Sequence, residues 1–197
     1  AYYQPYDAVS NPDGYADDNE RVYREHSLLA NAVNAVNSQI PSNLNVDMNG
    51  DGYVDNVCFI VKGDVDGWAE LLWPHRWVLY NQNAFINGKQ VWDYNLQIES
   101  FFYIPTRGVG VLNHEMFHTL GAPDLYHYNT DYRNFRSVGY WDLMDRSLNP
   151  SESMLMYMKY FYAGWIDDIP EITTPGIYTL HPSTAPVNNC YRIASSN

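Results

Sequence analysis

The sequence predicts an α/β (α+β) fold, with a twisted mixed β-sheet packed against helices. Three observations point there: a long amphipathic stripe near the N-terminus, short β-prone runs parted by turn residues, and a later helical segment carrying paired histidines.

Residues 1–16, rich in Tyr, Asn, Asp, Pro and Gly, read as a loop, and Asp17 or Asp18 can cap the helix that follows. From there to about Gln39, Val22, Leu29, Ala32, Val33, Val36 and Ile40 recur at three- and four-residue intervals, so one apolar stripe runs along a long helix. Pro41 ends it. His26 falls inside this helix as a packed or partly exposed side chain. Asn56 to Val61 is apolar and β-branched and reads as a central strand, and Lys62 to Gly67 reads as a turn. In ELLWPHRWVLY, Pro74 disfavours helix, and His75 between Trp73 and Trp77 either lines a substrate groove or packs structurally. Asn87-Gly88 is the preferred pair for a type I′ turn, which makes Ala84–Ile86 and Lys89–Trp92 a hairpin.

Tyr94 to Ser100 alternates Leu96 and Ile98 with polar neighbours, as a half-buried strand does, and FFYIPTRG then leads straight into the histidine helix. After Asp124 the aromatic stretch LYHYNTDYRNFRSVGYWDLMDRS is too long for a mere connector and suits one wall of a site. Glu152 to Gly164 reads as a helix packing Leu155, Met158 and Tyr162. Pro170 and Pro175 mark a boundary, and GIYTLHPSTAPVNNCYRI has β character. The expected organisation is one domain over 1–168, with an upper part to about 121 and a lower lobe over about 122–168, followed by the start of a β segment over 169–197.

A chain of 197 residues, 46% hydrophobic and 16% aromatic, can bury a substantial core. Its 23 acidic residues outnumber 11 basic ones for a net charge of -12, which repels phosphate backbones and anionic membranes and excludes nucleic-acid binding. No apolar run approaches the roughly 18 residues of a membrane-spanning helix, so membrane insertion is not expected either. A monomer is expected. The opening AYYQPYDAV has neither a starting Met nor a signal peptide and reads as a mature or trimmed form. Cys58 and Cys190 read as two separate buried thiols in preference to one disulfide.

The chemistry concentrates in GVGVLNHEMFHTLGAPD, Gly108 to Asp124. On a helix, positions four apart lie about 40° apart around the axis and about 6 Å along it, so His114 and His118 project from one face and can share a metal ion. Zinc takes imidazole nitrogen at about 2.0–2.1 Å, and a catalytic site has three protein ligands. Glu115 sits beside the first histidine, placed to hold the attacking water. Val111, Leu112, Met116, Phe117 and Leu120 are apolar, which predicts a helix buried on most sides with its metal face open. Gly121 favours the left-handed helix end, letting Asp124 return as a third ligand. His127 is the one histidine that could take that place.

A second motif precedes the first strand, in NVDMNGDGYVDNV. Asp47, Asn49, Asp51 and Asp55 set oxygen side chains at alternate positions, and the Tyr53 carbonyl can add another, which suits calcium with its 6–8 oxygen ligands. Cys58 stands where an EF-hand needs glutamate, so the loop is not one. A polar turn is the plainer alternative.

His114-Glu115-x-x-His118-x-x-Gly121-x-x-Asp124, together with DMNGDGYVDNV, LWPHRW, GYWDLM and the helix ending in AGW, resembles the immune inhibitor A family of secreted bacterial metallopeptidases over roughly residues 19–168. The resemblance implies a metzincin-like zincin with a small C-terminal lobe containing a Met-turn and a helix. It implies zinc at His114, His118 and Asp124, Glu115 as catalytic acid and base, calcium at the Asp47 loop, Met144 as the floor of the zinc site, and export from a bacterial cell to its surface or surroundings. Metzincins otherwise carry His at the last ligand position, where this sequence has Asp. The expected activity is zinc-dependent endopeptidase action on polypeptides. Tyr140, near Met144, could line the groove or aid oxyanion stabilisation. A noncatalytic binding module and a zinc hydrolase of non-peptide amides or esters are the alternatives.

Overall fold

The computed structural model describes residues 2–65, 70–132 and 134–195. The predicted turn over Lys62 to Gly67 therefore lies partly outside the described residues. The fold is mixed α+β with a long N-terminal helix. The chain forms two compact units: one runs to Thr119 and takes in Ser147–Ser151, and the other comprises Leu120–Arg146 and the residues from Glu152 on.

The first unit begins with α1, Asp18–Val36, continued by a 3-10 turn, Asn37–Gln39. Asp17 caps it by accepting the Glu20 backbone N–H at 2.9 Å. The buried face carries Leu29 and Val33, as the apolar stripe predicts, but Ala30, Arg24, Glu25 and His26 are buried with them, while Val36 is exposed. His26 is wholly buried, with Nδ1 at 2.7 Å from Asn81 Oδ1.

Two three-stranded sheets follow, where one was expected. In the first, β1 (Tyr53–Val54) pairs parallel with β5 (Lys89–Val91), which pairs antiparallel with β4 (Phe85–Ile86). Asn87 and Gly88 have φ of 49° and 81°, so both central residues of the hairpin adopt the left-handed conformation that Asn-Gly favours. In the second sheet, β6 (Asp93–Ile98) lies between β2 (Val57–Val61, parallel) and β3 (His75–Val78, antiparallel).

This order corrects two expectations. β2 is an edge strand, with Ile60 and Cys58 exposed, and β6 is the centre, with all six residues buried. Asn95 and Gln97 make β6 look half-exposed in sequence, yet they are buried and the Gln97 amide donates to Asn95 Oδ1 at 2.6 Å. Leu29, Val33, Val54, Leu79, Ile86, Val91, Tyr94, Leu96 and Ile98 form one core between α1 and the sheets.

A short helix α2, Glu99–Tyr103, intervenes where β6 was expected to lead straight into the histidine helix. That helix is α3, Gly110–Thr119. A Cβ on Gly110 would stand 1.9 Å from the Leu148 carbonyl oxygen, so only glycine lets the returning segment Ser147–Ser151 cross the helix start this closely. Val111 and Phe117 are buried, but Met116 and Leu120 are 39% and 45% exposed, so the burial of α3 is narrower than its composition suggests.

In the second unit, Gly121 has φ of 90°, the left-handed turn expected after the helix. The aromatic stretch is irregular, with 3-10 turns at Thr130–Tyr132 and Gly139–Trp141. Two buried carboxylates fix it. Asp142 accepts the N–H groups of Met144 and Leu155, each at 2.7 Å, and Asp145 accepts those of Val138 and Gly139 at 2.8 and 2.6 Å. α4, Met156–Phe161, is shorter than predicted, with Met158 buried. Among the described residues the segment after Pro170 holds no strand, only an isolated bridge between Glu171 and Arg192. Cys58 and Cys190 are free thiols, and Cys58 is exposed instead of buried. No helix among the described residues is long and apolar enough to cross a membrane.

Candidate metal centre

The i, i+4 spacing on α3 does what helical geometry requires. The His114 and His118 rings stand 4.8 Å apart, edge to face. One ligand atom from each of His114, Glu115 and His118 lies within 4.8 Å of the others. His114 is 5% exposed and Glu115 9%, so the group sits in a shielded position where an ionic interaction is stronger than in water. The two imidazoles are donors that zinc accepts, and the Glu115 carboxylate stands beside them.

A family model described as immune inhibitor A peptidase M6, catalytic domain, matches residues 31–149. The chain belongs to this peptidase family. It is therefore a metallopeptidase whose substrates are polypeptides. No curated protein matches its sequence.

The matched region of this peptidase also takes in Asp124 and Met144, both in its second unit. Asp124 accepts a hydrogen bond on Oδ2 from the Tyr128 hydroxyl. The next residue, Leu125, donates its N–H to the Met144 carbonyl at 2.9 Å, so the Asp124 turn and the Met144 turn are tied together. Met144 is fully buried, in keeping with a packing role. His127 is exposed beside the rings of Tyr132 and Phe135, at 6.1 and 5.7 Å. Tyr140 is 64% exposed, with the Arg146 guanidinium 4.1 Å over its ring.

His75, for which the sequence left two roles open, is packed. Its Nε2 lies 2.9 Å from Glu25 Oε1 and its Nδ1 2.6 Å from the Trp73 carbonyl, so with both acceptors served both nitrogens carry hydrogen. The Tyr94 hydroxyl donates to the same Glu25 oxygen. Burial alone would push the Glu25 carboxyl up, but the hydrogen bond and charge of His75, with the Tyr94 bond, hold it below its ordinary value. Burial pulls His75 down, and the Glu25 bond and charge outweigh it, raising the imidazole above its ordinary value. The sequence does not reveal that these three belong together, because His75 and Tyr94 lie 50 and 69 residues from Glu25.

The Asp47 loop is ordered by its own backbone. Asp47 Oδ1 accepts the N–H groups of Gly50 and Asp51 at 2.7 and 3.0 Å, and Oδ2 accepts that of Gly52 at 3.0 Å and the Lys89 ammonium at 2.7 Å. The Lys89 bond, against some burial and with help from Gly52 and Gly50, lowers the Asp47 carboxyl below its ordinary range. Asp51 accepts the Tyr53 N–H at 2.9 Å, and Asp55 accepts the Met48 N–H at 3.1 Å. The oxygen-bearing residues expected around calcium thus share one turn, while Lys89, from β5, already brings a cation to the first of them.

Proposed function

We propose that this metallopeptidase is a secreted bacterial zinc endopeptidase, with zinc held by His114, His118 and Asp124 and with Glu115 as the acid-base residue. The clustering of His114, Glu115 and His118 on α3, inside the region matched by the family model, carries this reading. When bound, zinc supplies a Lewis acid that polarises a carbonyl and brings the pKa of water towards about 7. The chain's own groups do the rest. Glu115, adjacent in sequence to one histidine and three residues from the other, takes the proton from the attacking water and returns it to the departing amine. Asp124 adds a carboxylate donor after the turn at Gly121. Met144, wholly buried in the second unit, would be the Met-turn residue that the family resemblance implies.

Stripping the purified protein with a strong chelator is expected to abolish peptide cleavage, and one equivalent of zinc is expected to restore it. Peptide cleavage that persists in demonstrably metal-free protein would overturn the reading.

The reading extends to a structural calcium ion held by Asp47, Asn49, Asp51, Asp55 and the Tyr53 carbonyl. Three carboxylates and an amide within nine residues support it. Calcium would have to compete with the Lys89 ammonium for Asp47. In zinc-loaded protein, added calcium is therefore expected to raise the melting temperature, and Lys89→Met is expected to enlarge the rise. No calcium response in either protein rules the site out.

A further inference from the structure

The last turn of a helix is its weakest part, because its final carbonyls lack intrahelical partners and it frays. His118 sits in that turn of α3, one residue before the helix ends at Thr119. The end is not left loose. The Thr119 hydroxyl donates to Asp93 Oδ1 at 3.0 Å and accepts the Asn56 amide at 3.1 Å. The same amide donates to Asp93 Oδ1 at 2.6 Å, which closes a triangle. The Arg76 guanidinium holds the other oxygen, Asp93 Oδ2.

These four residues come from four places: the turn before β2, strand β3, the start of β6 and the end of α3. Asp93 is 8% exposed and opens the central strand of its sheet, opposite Val78 of β3. The helix end is thereby bolted to the best-supported strand of the first unit. A buried carboxylate with three donors is costly to disturb, because each orphaned group loses its partner without regaining water.

We propose that Asp93, acting through Thr119 and Asn56, is a positioning residue for the metal centre, holding the last turn of α3 so that His118 stays aligned with His114. The role rests on the reading of His118 as a zinc ligand. A merely structural clamp would change stability alone. A positioning clamp also changes how tightly the folded chain takes the metal, because part of the binding free energy then goes into ordering the ligand.

The test uses the full chain, made metal-free, with zinc affinity measured by competition against a chromophoric chelator well below the melting temperature. Thr119→Val keeps the side-chain shape and removes the hydroxyl. It is expected to raise the zinc Kd about tenfold, the low end for groups that orient a ligand indirectly. It is also expected to lower kcat on a peptide substrate with KM little changed. Thr119→Ser restores the hydroxyl and is expected to return both quantities to wild type. Asn56→Ala opens the same triangle without touching α3 and is expected to move the Kd in the same direction. A Thr119→Val chain that melts earlier yet binds zinc and turns over like wild type overturns the positioning role alone. A wild-type chain that takes up no zinc overturns the zinc reading and this role with it.

Discussion

Replacing Glu115 by glutamine is expected to lower kcat for peptide cleavage by about 10²–10⁴-fold, the usual worth of a positioned acid-base group. Glutamine keeps the length and hydrogen-bonding reach of the side chain but cannot take a proton from water. Zinc uptake and the melting temperature are expected to stay near wild type, because His114 and His118 remain on the same face of α3 and no cavity is made. The loss should fall on kcat more than on KM, since the proton moves only as the bond to water forms. Turnover of a fluorogenic peptide, with zinc content measured on the same sample, checks the result. Cleavage at the wild-type rate by the glutamine variant would remove Glu115 from the mechanism.

What could be read from the sequence was local. The metal motif is visible because its geometry is set by a spacing of four on one helix, and the hairpin because Asn87-Gly88 fixes its own turn. The Asp17-Asp18 pair marks the start of α1 in the same local way, and Asp17 is the one that caps it. The family resemblance rests on the metal motif together with short segments such as DMNGDGYVDNV, LWPHRW and GYWDLM, and the match to the peptidase family over residues 31–149 agrees with it.

What was hidden depends on distant partners. Lys89, which gives Asp47 a cation, lies 42 residues away, and the Asp93 clamp joins residues 17, 26 and 37 positions apart. No periodicity encodes such pairs. β6 reads as a half-buried strand because Asn95 and Gln97 are polar, yet both lie in the interior, where the Gln97 amide donates to Asn95 Oδ1. Met116 and Leu120 mislead in the opposite sense, being apolar residues that the fold leaves exposed.

Glu25→Ala is expected to be the most destabilising of these substitutions, by about 3–5 kcal/mol, the range for removing one partner of a buried ion pair. The Glu25 side chain is 3% exposed and that of His75 23%, so the imidazolium left behind is largely shielded from water. The Tyr94 hydroxyl loses its acceptor as well. His75→Gln is expected to cost less, because Tyr94 still serves Glu25.

The pH dependence follows from the signs of the two shifts. Glu25 is depressed below its ordinary 4.5, so its contribution is complete above that value and disappears as pH falls through the lower folded value. His75 is raised above its ordinary 6.5, with the Glu115 charge adding to that of Glu25, so its contribution is complete below 6.5 and disappears as pH rises through the higher folded value. The coupling between the two should therefore be greatest between 4.5 and 6.5 and should decline on the alkaline side. A double-mutant cycle of Glu25→Ala and His75→Gln, followed by denaturant melts from acid to alkaline pH, measures it. A coupling that stays constant up to pH values where a raised imidazole has lost its proton would show that His75 packs against Glu25 as a neutral ring and that no ion pair forms.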